Sequence, residues 1–575
     1  MATKHFSYVS GVAPSSLCDR RVVRYVDWTG SIKLPLQVVR SRKTYTQNKQ
    51  KTRFRLVAEQ VAQDVADVLV VGSGIGGLCC AALCAKFGYK VVVFESHSEA
   101  GGAAHSWRRG RFSFDSGPSL FSGLSAPSPN PLRQVLDLIG ESPRWIAYKS
   151  WGVHLPEGSF ETGVGIDGFD SMVGSISGTK GLKEWRELQG FMKPLSDLSV
   201  AFPPAAMRTD FKVLGMLARY LPTLFSYGFG LRNLPLLVGP FSKVLDAAGT
   251  KDIFIRRWLD LLCFLLSGLP ADGTIGVEMA FMFNDFYRED CVLDWPEGGS
   301  GALVDALVRG IVKFGGKVQL NSHVEAVLVE NGRAAGVRLR NGSIFKAKTA
   351  VVSNASIWDT VKLMPGLEQT PLFVKADATP QLPSFIHLHL AFRGAGLPTD
   401  LPCHHLVLND WTKGVTAPQN VVLISIPSII DSTLAPEGFH VLHAYVPATE
   451  PYDIYEGLSR DEYLKLKEER AEVLWRAIEK VIPDIKDRVE LSLVGSPLTH
   501  QFFLRRSQGT YGPAIKAGEG VFPGPNVLPV QGLLCVGDSV FPGIGMPAVA
   551  ASGMIAAHSL IDFDAHISNL DELQR

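Results

Sequence analysis

Gly72, Gly74 and Gly77 stand in the spacing G-x-G-x-x-G, with Gly76 inside it, and Glu95 follows downstream. Glycines so spaced make a turn tight enough for backbone N–H groups to approach a pyrophosphate. Gly72 turns the chain, Gly74 admits the phosphate, and Gly77 lets the next helix lie close to the strand. The free N–H groups at that helix N-terminus then face the negative charge. A carboxylate one strand later accepts hydrogen bonds from an adenosine ribose, and favours a 2′-hydroxyl over a 2′-phosphate.

The elements that must position these groups are readable around them. Asp67 to Val71 is a short run rich in β-branched residues, Ile75 to Phe87 is an apolar helical stretch ended by Gly88, and Lys90 to Glu95 is a second strand. The pattern predicts a β-α-β unit whose first turn is the glycine turn. Cys79, Cys80 and Cys84 fall on the packed helix, where small thiols are ordinary core residues.

Other side chains invite a chemical reading. His387 and His389 alternate along SFIHLHLAF as on one face of a strand, and His404 and His405 adjoin Cys403. The two strand histidines share their face with little that could complete a metal site. We read them as structural or tunnel-lining and expect no metal. The eight cysteines include no Cys-x-x-Cys pair, which argues against a disulfide scaffold or a structural zinc.

Downstream of Glu95, Gly101 and Gly102 open GGAAHSWRRGRFSFDSGPS. This resembles the glycine-doublet segment of flavin amine-oxidase and carotenoid-desaturase-like enzymes, where the doublet lies along the FAD diphosphate. Near the C-terminus, a strand over Gly532 to Val536 runs into Gly537, Asp538 and a glycine-rich turn. A carboxylate at that place can hydrogen-bond a ribityl hydroxyl, and Gly543 and Gly545 let backbone approach an isoalloxazine edge. Between the two, Pro296-x-Gly298-Gly299 precedes a helix. Strands around Val318–Leu320, Val324–Val329, Ala335–Leu339 and Ala350–Val352 follow, with an Asn341-Gly342 turn that fits a meander. In FAD enzymes of this build the strand near Val324 holds the adenine by its backbone.

Together with GSPLTHQFFLRRSQGTYGP (Gly495 to Pro513), these blocks resemble the plant and cyanobacterial carotenoid isomerase family, relatives of bacterial-type phytoene desaturases and retinol saturase. The likeness runs from about Asp67 to Leu560. It implies an α/β fold: a doubly wound, Rossmann-like FAD-binding domain formed from discontinuous segments, with an inserted α+β substrate domain. The expected divisions are 63–150, 291–360 and 501–575 for the FAD-binding parts, 151–290 for an apolar substrate and membrane-facing region, and 361–500 for the substrate-domain sheet and helices.

The chain has 575 residues, 57 basic against 56 acidic, which fits no broad nucleic-acid-binding surface. Residues 1–60 carry twelve Lys or Arg and eleven Ser or Thr but only three acids, a composition that predicts a plastid or mitochondrial transit segment over 1–62. The apolar run from Trp258 to Leu269 is too short to span a bilayer. The wider apolar stretch Phe211 to Leu269, cut by Arg219, Pro222, Arg232, Pro235 and Pro240, is expected to form a tunnel wall whose rim dips into one leaflet, with Arg256 and Arg257 near headgroups.

The resemblance thus implies an FAD-dependent enzyme, with FAD held non-covalently, that turns a cis double bond of a long polyene to trans without net redox. Rotation about a full double bond is slow unassisted, since even the partial double bond of a peptide has a barrier of roughly 18–20 kcal/mol. Glu278, Asp285 and His500 are the candidate proton carriers. Two other readings stay open: a desaturase or saturase with net hydride transfer, and a flavin-bearing lipid-binding protein without turnover.

Overall fold

Val68 to Val71 are apolar in succession, as a strand covered on both faces requires. In the computed structural model, which describes residues 64–117, 119–226, 233–366, 370–519 and 530–573, they end a central strand, Asp64–Val71. Its seven-stranded sheet runs in the order Lys317–Gln319, Val91–Phe94, Asp64–Val71, Ile344–Ser353, Arg333–Leu339, Val324–Glu330. The seventh strand, Leu533–Cys535, pairs in parallel with Val351 to Ser353, the end of Ile344–Ser353 that the meander leaves free. Strands from widely separated stretches therefore build one nucleotide-binding sheet. The expected leader, 1–62, lies outside the described residues.

The helices Ile75–Lys86, Ser300–Lys313 and Met546–Leu560 share one apolar core on one face of this sheet, and the meander and Ile357–Lys362 cover the other. Two of these helices touch backbone to backbone. A Cβ on Gly553 would lie 2.2 Å from the Gly76 carbonyl oxygen.

A second seven-stranded sheet has the order Val489–Gly495, Ser384–Arg393, Phe439–Glu450, Val421–Ser425, His404–Leu408, Ser150–Leu155, Gly158–Gly163. Val473, Leu474, Ala477 and Ile478 of the helix Arg460–Val481 close its outer face. Its inner face meets a core with the helices Asp170–Ala201, Ile253–Ser267 and Gly276–Phe286. The substrate sheet thus recruits strands from before residue 164. The expected divisions at 360/361 and 500/501 fall inside the helices Ile357–Lys362 and Pro497–Leu504.

One expectation is corrected. Trp258, Leu259, Leu261 and Cys263 on the helix Ile253–Ser267 are fully buried, so this helix is core and does not dip into a leaflet. Arg256 pairs with Asp246, and Arg257 lies over the Trp411 ring, so neither is left for headgroups. A short apolar run reads the same in sequence whether a bilayer or a protein core covers it. The exposed apolar side chains lie earlier, on and just before the helix Val213–Ser226. Phe211 is 81% exposed, Leu214 67% and Phe225 68%, with Leu221 also exposed. No helix among the described residues is long and apolar enough to cross a membrane.

Candidate functional site

The glycine turn forms as its spacing predicts. Gly72 has φ of +90°, which a side chain would strain, and Gly74 precedes the helix Ile75–Lys86. Glu95 ends the Val91–Phe94 strand and is buried beside the turn. Its Oε2 accepts from Ser73 N (2.9 Å) and Ser73 Oγ (2.6 Å), and its Oε1 from His97 N (2.8 Å). Ser322 N donates to the Glu95 carbonyl at 2.7 Å, so the loop leading into Val324 passes over the same acid. Gly101 N donates to Ser73 O at 3.0 Å, and a Cβ on Gly102 would lie 3.0 Å from Gly74 Cα. The doublet therefore lies directly against the turn.

Asn354, which follows the Ile344–Ser353 strand, was not singled out by sequence. Its amide fills the space between the two glycine turns: Cβ atoms on Gly74, Gly77 and Gly537 would lie 2.6, 2.8 and 2.9 Å from it. Asn354 Nδ2 donates to Val536 O (3.2 Å), while its Oδ1 is buried with no partner. The signal was an amide at the end of the apolar strand TAVVSNA, but no spacing rule points to it. Gly76 is equally enclosed, since a Cβ there would lie 3.1 Å from Gly537 N. A cradle with no room for side chains, an orphaned amide oxygen and a buried acid at the next strand end fit a dinucleotide.

Gly543 and Gly545 hold φ of +128° and +101° in the C-terminal turn. Asp538 forms an ion pair with Arg506, whose Nε and Nη2 also donate to the carbonyls of Thr510 (2.6 Å) and Tyr511 (3.1 Å). Gly512 packs on Ile544 of the same turn. The stretch Pro497 to Pro513 thus ties the glycine-rich turn to the substrate sheet.

Glu278, Tyr445, His500 and Tyr511 are half-buried, and the Phe385 ring meets those of Tyr445, His500 and Tyr511 with centres 6.0, 5.1 and 5.2 Å away. Tyr511 donates to Leu265 O at 2.9 Å, with Leu265, Leu266 and Phe286 in the same apolar cluster. Burial alone raises the Glu278 carboxyl to about 8, so it is protonated at neutral pH. Asp285, two turns further along the helix Gly276–Phe286, accepts from Ser122 Oγ at 3.2 Å and is raised to about 6, chiefly by burial. His500 stacks on Phe385, ring centres 5.1 Å apart, and shares a hydrogen bond with His387. Burial, then the charge of Arg506, lowers it to about 3.

The strand histidines have more company than their own strand shows. His389 pairs in register with His443, and the two rings stack 4.3 Å apart and nearly parallel. His387 Nδ1 and His443 Nε2 share a hydrogen bond of 2.6 Å, with Tyr445 stacked alongside. His443 was missed because its neighbours come from a strand far off in sequence. His405 lies apart, bonded to Pro402 O. Among the described residues no group of His, Cys, Asp or Glu is arranged to hold a metal ion.

Two chain-distant glycine turns that meet at one cradle, beside an apolar core of sheet and helices, fit a flavoprotein enzyme. Residues 70–137 match an NAD(P)-binding Rossmann-like domain, and residues 249–561 match the family described as flavin containing amine oxidoreductase. Chloroplastic prolycopene isomerases of an Oncidium hybrid cultivar and of Daucus carota are each 33% identical over 86% of this chain, and 83% and 79% of their own. The all-trans-retinol 13,14-reductase of Homo sapiens is 25% identical over 79% of this chain and 77% of its own. An oxidoreductase structure from Methanosarcina mazei aligns with TM-score 0.56 at 20% identity, covering 85% of this chain and 99% of that one. Putrescine oxidase bound to putrescine aligns with TM-score 0.55 at 15% identity, over 89% and 99%. These two show the shared fold. The chain belongs to the flavin containing amine oxidoreductase family, in the branch that holds the prolycopene isomerases, and is an FAD-dependent enzyme.

Proposed function

We propose that this enzyme turns a cis double bond of a carotenoid-type polyene to trans, with no net oxidation or reduction. The observation that carries the reading is the 33% identity to prolycopene isomerases over 86% of the chain. The apolar cluster that packs Leu265, Leu266 and Phe286 against Tyr511 supports it. In this reading Gly72, Gly74, Gly76, Gly77, Gly101 and Gly102 cradle the FAD diphosphate, Asn354 fills the space beneath it, Glu95 takes the ribose, and backbone at Val324 the adenine. Gly537, Asp538, Gly543 and Gly545 close on the ribityl chain and ring. When bound and reduced, FAD supplies electron density to a conjugated chain lying against it. The protein's own part is to align the polyene and keep water out. Glu278, neutral because it is buried, places no charge beside Tyr511. Its carboxyl still carries a proton at neutral pH, whereas His500, lowered to about 3, is there a neutral imidazole that accepts rather than gives one. Asp285, bonded to Ser122, is a second-choice carrier at the far end of the same helix.

A polyene of this length is almost insoluble in water and comes from a membrane. Phe211, Leu214, Leu221 and Phe225 form the exposed apolar patch suited to peripheral contact with one leaflet. The basic, acid-poor segment 1–62 and the chloroplastic relatives support a plastid location.

The test is anaerobic turnover of prolycopene in detergent with trace reductant, followed by chromatography and mass measurement. We expect a product of unchanged mass and many turnovers per reducing equivalent. A product differing by two hydrogens would make the enzyme a desaturase or saturase. Retention of prolycopene unchanged by FAD-loaded protein would leave a binding protein.

A further inference from the structure

We propose that Arg506 is a positioning residue that couples the cofactor to the substrate: one guanidinium aims the Asp538 carboxylate at the ribityl chain and pins Tyr511 beside the polyene. This rests on the cofactor and isomerase readings above and deepens them.

Arg506 stands in LRRSQGTYGP, and its planar head bonds in two directions. Toward the C-terminal glycine turn, Nη2 donates to Asp538 Oδ2. Toward its own stretch, Nε donates to Thr510 O (2.6 Å) and Nη2 to Tyr511 O (3.1 Å). The Arg506 and Asp538 side chains are only 20% and 17% exposed, so salt screens the pair little. A lysine would bring the charge but no rigid fork that spans both directions.

The cofactor arm leaves one oxygen open. Arg506 holds Asp538 Oδ2, and Oδ1 has no hydrogen-bond partner among the described residues. The guanidinium thus fixes the carboxylate through one oxygen and leaves the other to accept from a ribityl hydroxyl, at the turn where Gly543 and Gly545 hold positive φ. Gly512 brings the two arms together. A Cβ there would lie 2.7 Å from Ile544 Cδ1 and 3.7 Å from Asp538 Oδ2, so bare backbone carries the chain past the glycine turn.

The substrate arm fixes a ring. Tyr511 N donates to Pro383 O (3.1 Å) and Leu382 N to Gly512 O (2.8 Å), which ties this stretch to the residues leading into the strand Ser384–Arg393. Arg506 takes the two carbonyls that this pairing leaves over, those of Thr510 and Tyr511. The Tyr511 hydroxyl is held at Leu265 O, and the ring lies beside Phe385, which Tyr445 also meets. These half-buried rings, next to Leu265 and Leu266, offer the aromatic and apolar surface against which a conjugated hydrocarbon packs. Because both arms share one rigid group, FAD that engages Asp538 restrains Arg506, and Arg506 restrains Tyr511. A polyene on Tyr511 acts back on FAD by the same factor, since coupling between two sites is reciprocal. No proton or electron moves in this coupling.

The experiment follows FAD release from the loaded chain on dilution in detergent, by flavin fluorescence, without and with prolycopene. FAD is kept oxidised, so that the polyene is bound and not turned over. Wild type should hold FAD roughly tenfold more tightly with prolycopene present. Arg506→Gln should hold FAD about tenfold more weakly than wild type without the polyene, and prolycopene should then improve its hold by less than about threefold. The first loss should run through Asp538, so that in an Asp538→Asn background the same Arg506→Gln change costs less than about threefold. A merely structural arginine would lower the melting point and leave these ratios unmoved. Should Arg506→Gln load too little FAD to measure, Arg506→Lys, with the charge but not the fork, carries the same loss of the prolycopene effect. A wild-type hold on FAD indifferent to bound prolycopene, the full prolycopene effect in a loaded Arg506 variant, or an equal cost of Arg506→Gln in both backgrounds overturns the coupling. Prolycopene that tightens FAD through Arg506 but leaves the reduced enzyme unisomerised overturns the isomerase reading alone, and prolycopene that does not bind overturns both.

Discussion

At the scale of single residues, three side chains of the proposed cofactor site should set how tightly FAD is held. Glu95→Ala and Asp538→Ala each remove a charged hydrogen-bond partner, worth about 1.5–3 kcal/mol. Each purified variant should therefore retain FAD roughly ten- to a hundredfold more weakly, measured by flavin absorbance after dialysis. Glu95→Gln, which keeps one acceptor, should be milder. Asn354→Asp should lose more FAD than Asn354→Ala, because it sets a negative charge against the diphosphate. Full occupancy in all five would move the cofactor site elsewhere. Glu278 gives a pH signature. Its folded pKa, about 8, lies above the unfolded carboxylate range, so the folded state binds the extra proton. The native state is fully favoured below pH 4.5 and loses stability as pH rises through 8, by about 1 kcal/mol for each pH unit between. Glu278→Gln should flatten that slope and melt higher than wild type at pH 8 but not at pH 4.5. Parallel melting curves for the two proteins would place Glu278 in water rather than in the protein interior.

At the scale of elements, what could be read in the sequence was local. The helix after Gly72 and the meander around Asn341-Gly342 are fixed by spacing within a few dozen residues, and both form where expected. Asn354 and His443 escaped because their partners are distant. The amide meets glycines from both ends of the chain, and the imidazole meets His389 only when Ser384–Arg393 pairs with Phe439–Glu450 in one register. A slip of one residue would turn these side chains to the other face. The helix Ile253–Ser267 was misjudged because apolar composition does not say what covers it. Two tests belong to elements. Gly553→Val drives a side chain into the Gly76 carbonyl, where backbone cannot yield, and should destabilise by about 3 kcal/mol in urea unfolding. On the helix Val213–Ser226, Leu221→Ser and Phe225→Ser replace exposed side chains and should leave the fold intact while reducing flotation with anionic liposomes. Equal flotation of wild type and the double variant would take the membrane contact away from this helix.

At the scale of the molecule, the proposed cofactor site is also a joint. The stretch from Gly72 to Gly102, Asn354, and the turn from Gly537 to Gly545 come from separate parts of the chain and meet at one cradle. A ligand that binds only the folded joint stabilises the whole by mass action, about 4 kcal/mol when free FAD is a thousand times its dissociation constant. For domains of 150–250 residues each kcal/mol moves the melting point by about 2–4 °C. Stripping FAD should thus lower the melting point by roughly 8–16 °C, and adding it back should raise it with the logarithm of FAD concentration. The link is non-covalent in this reading, since no Cys or His among the described residues stands at the doublet or the C-terminal glycine turn to reach a flavin ring except His105. That ring is already engaged, with Nδ1 at Gly102 O and Nε2 at Ser116 Oγ. Acid precipitation should therefore leave a colourless pellet and free FAD in the supernatant. Colour that stays with the pellet would overturn the non-covalent assignment, and a melting point indifferent to FAD would mean that the separated stretches are held together by protein contacts alone.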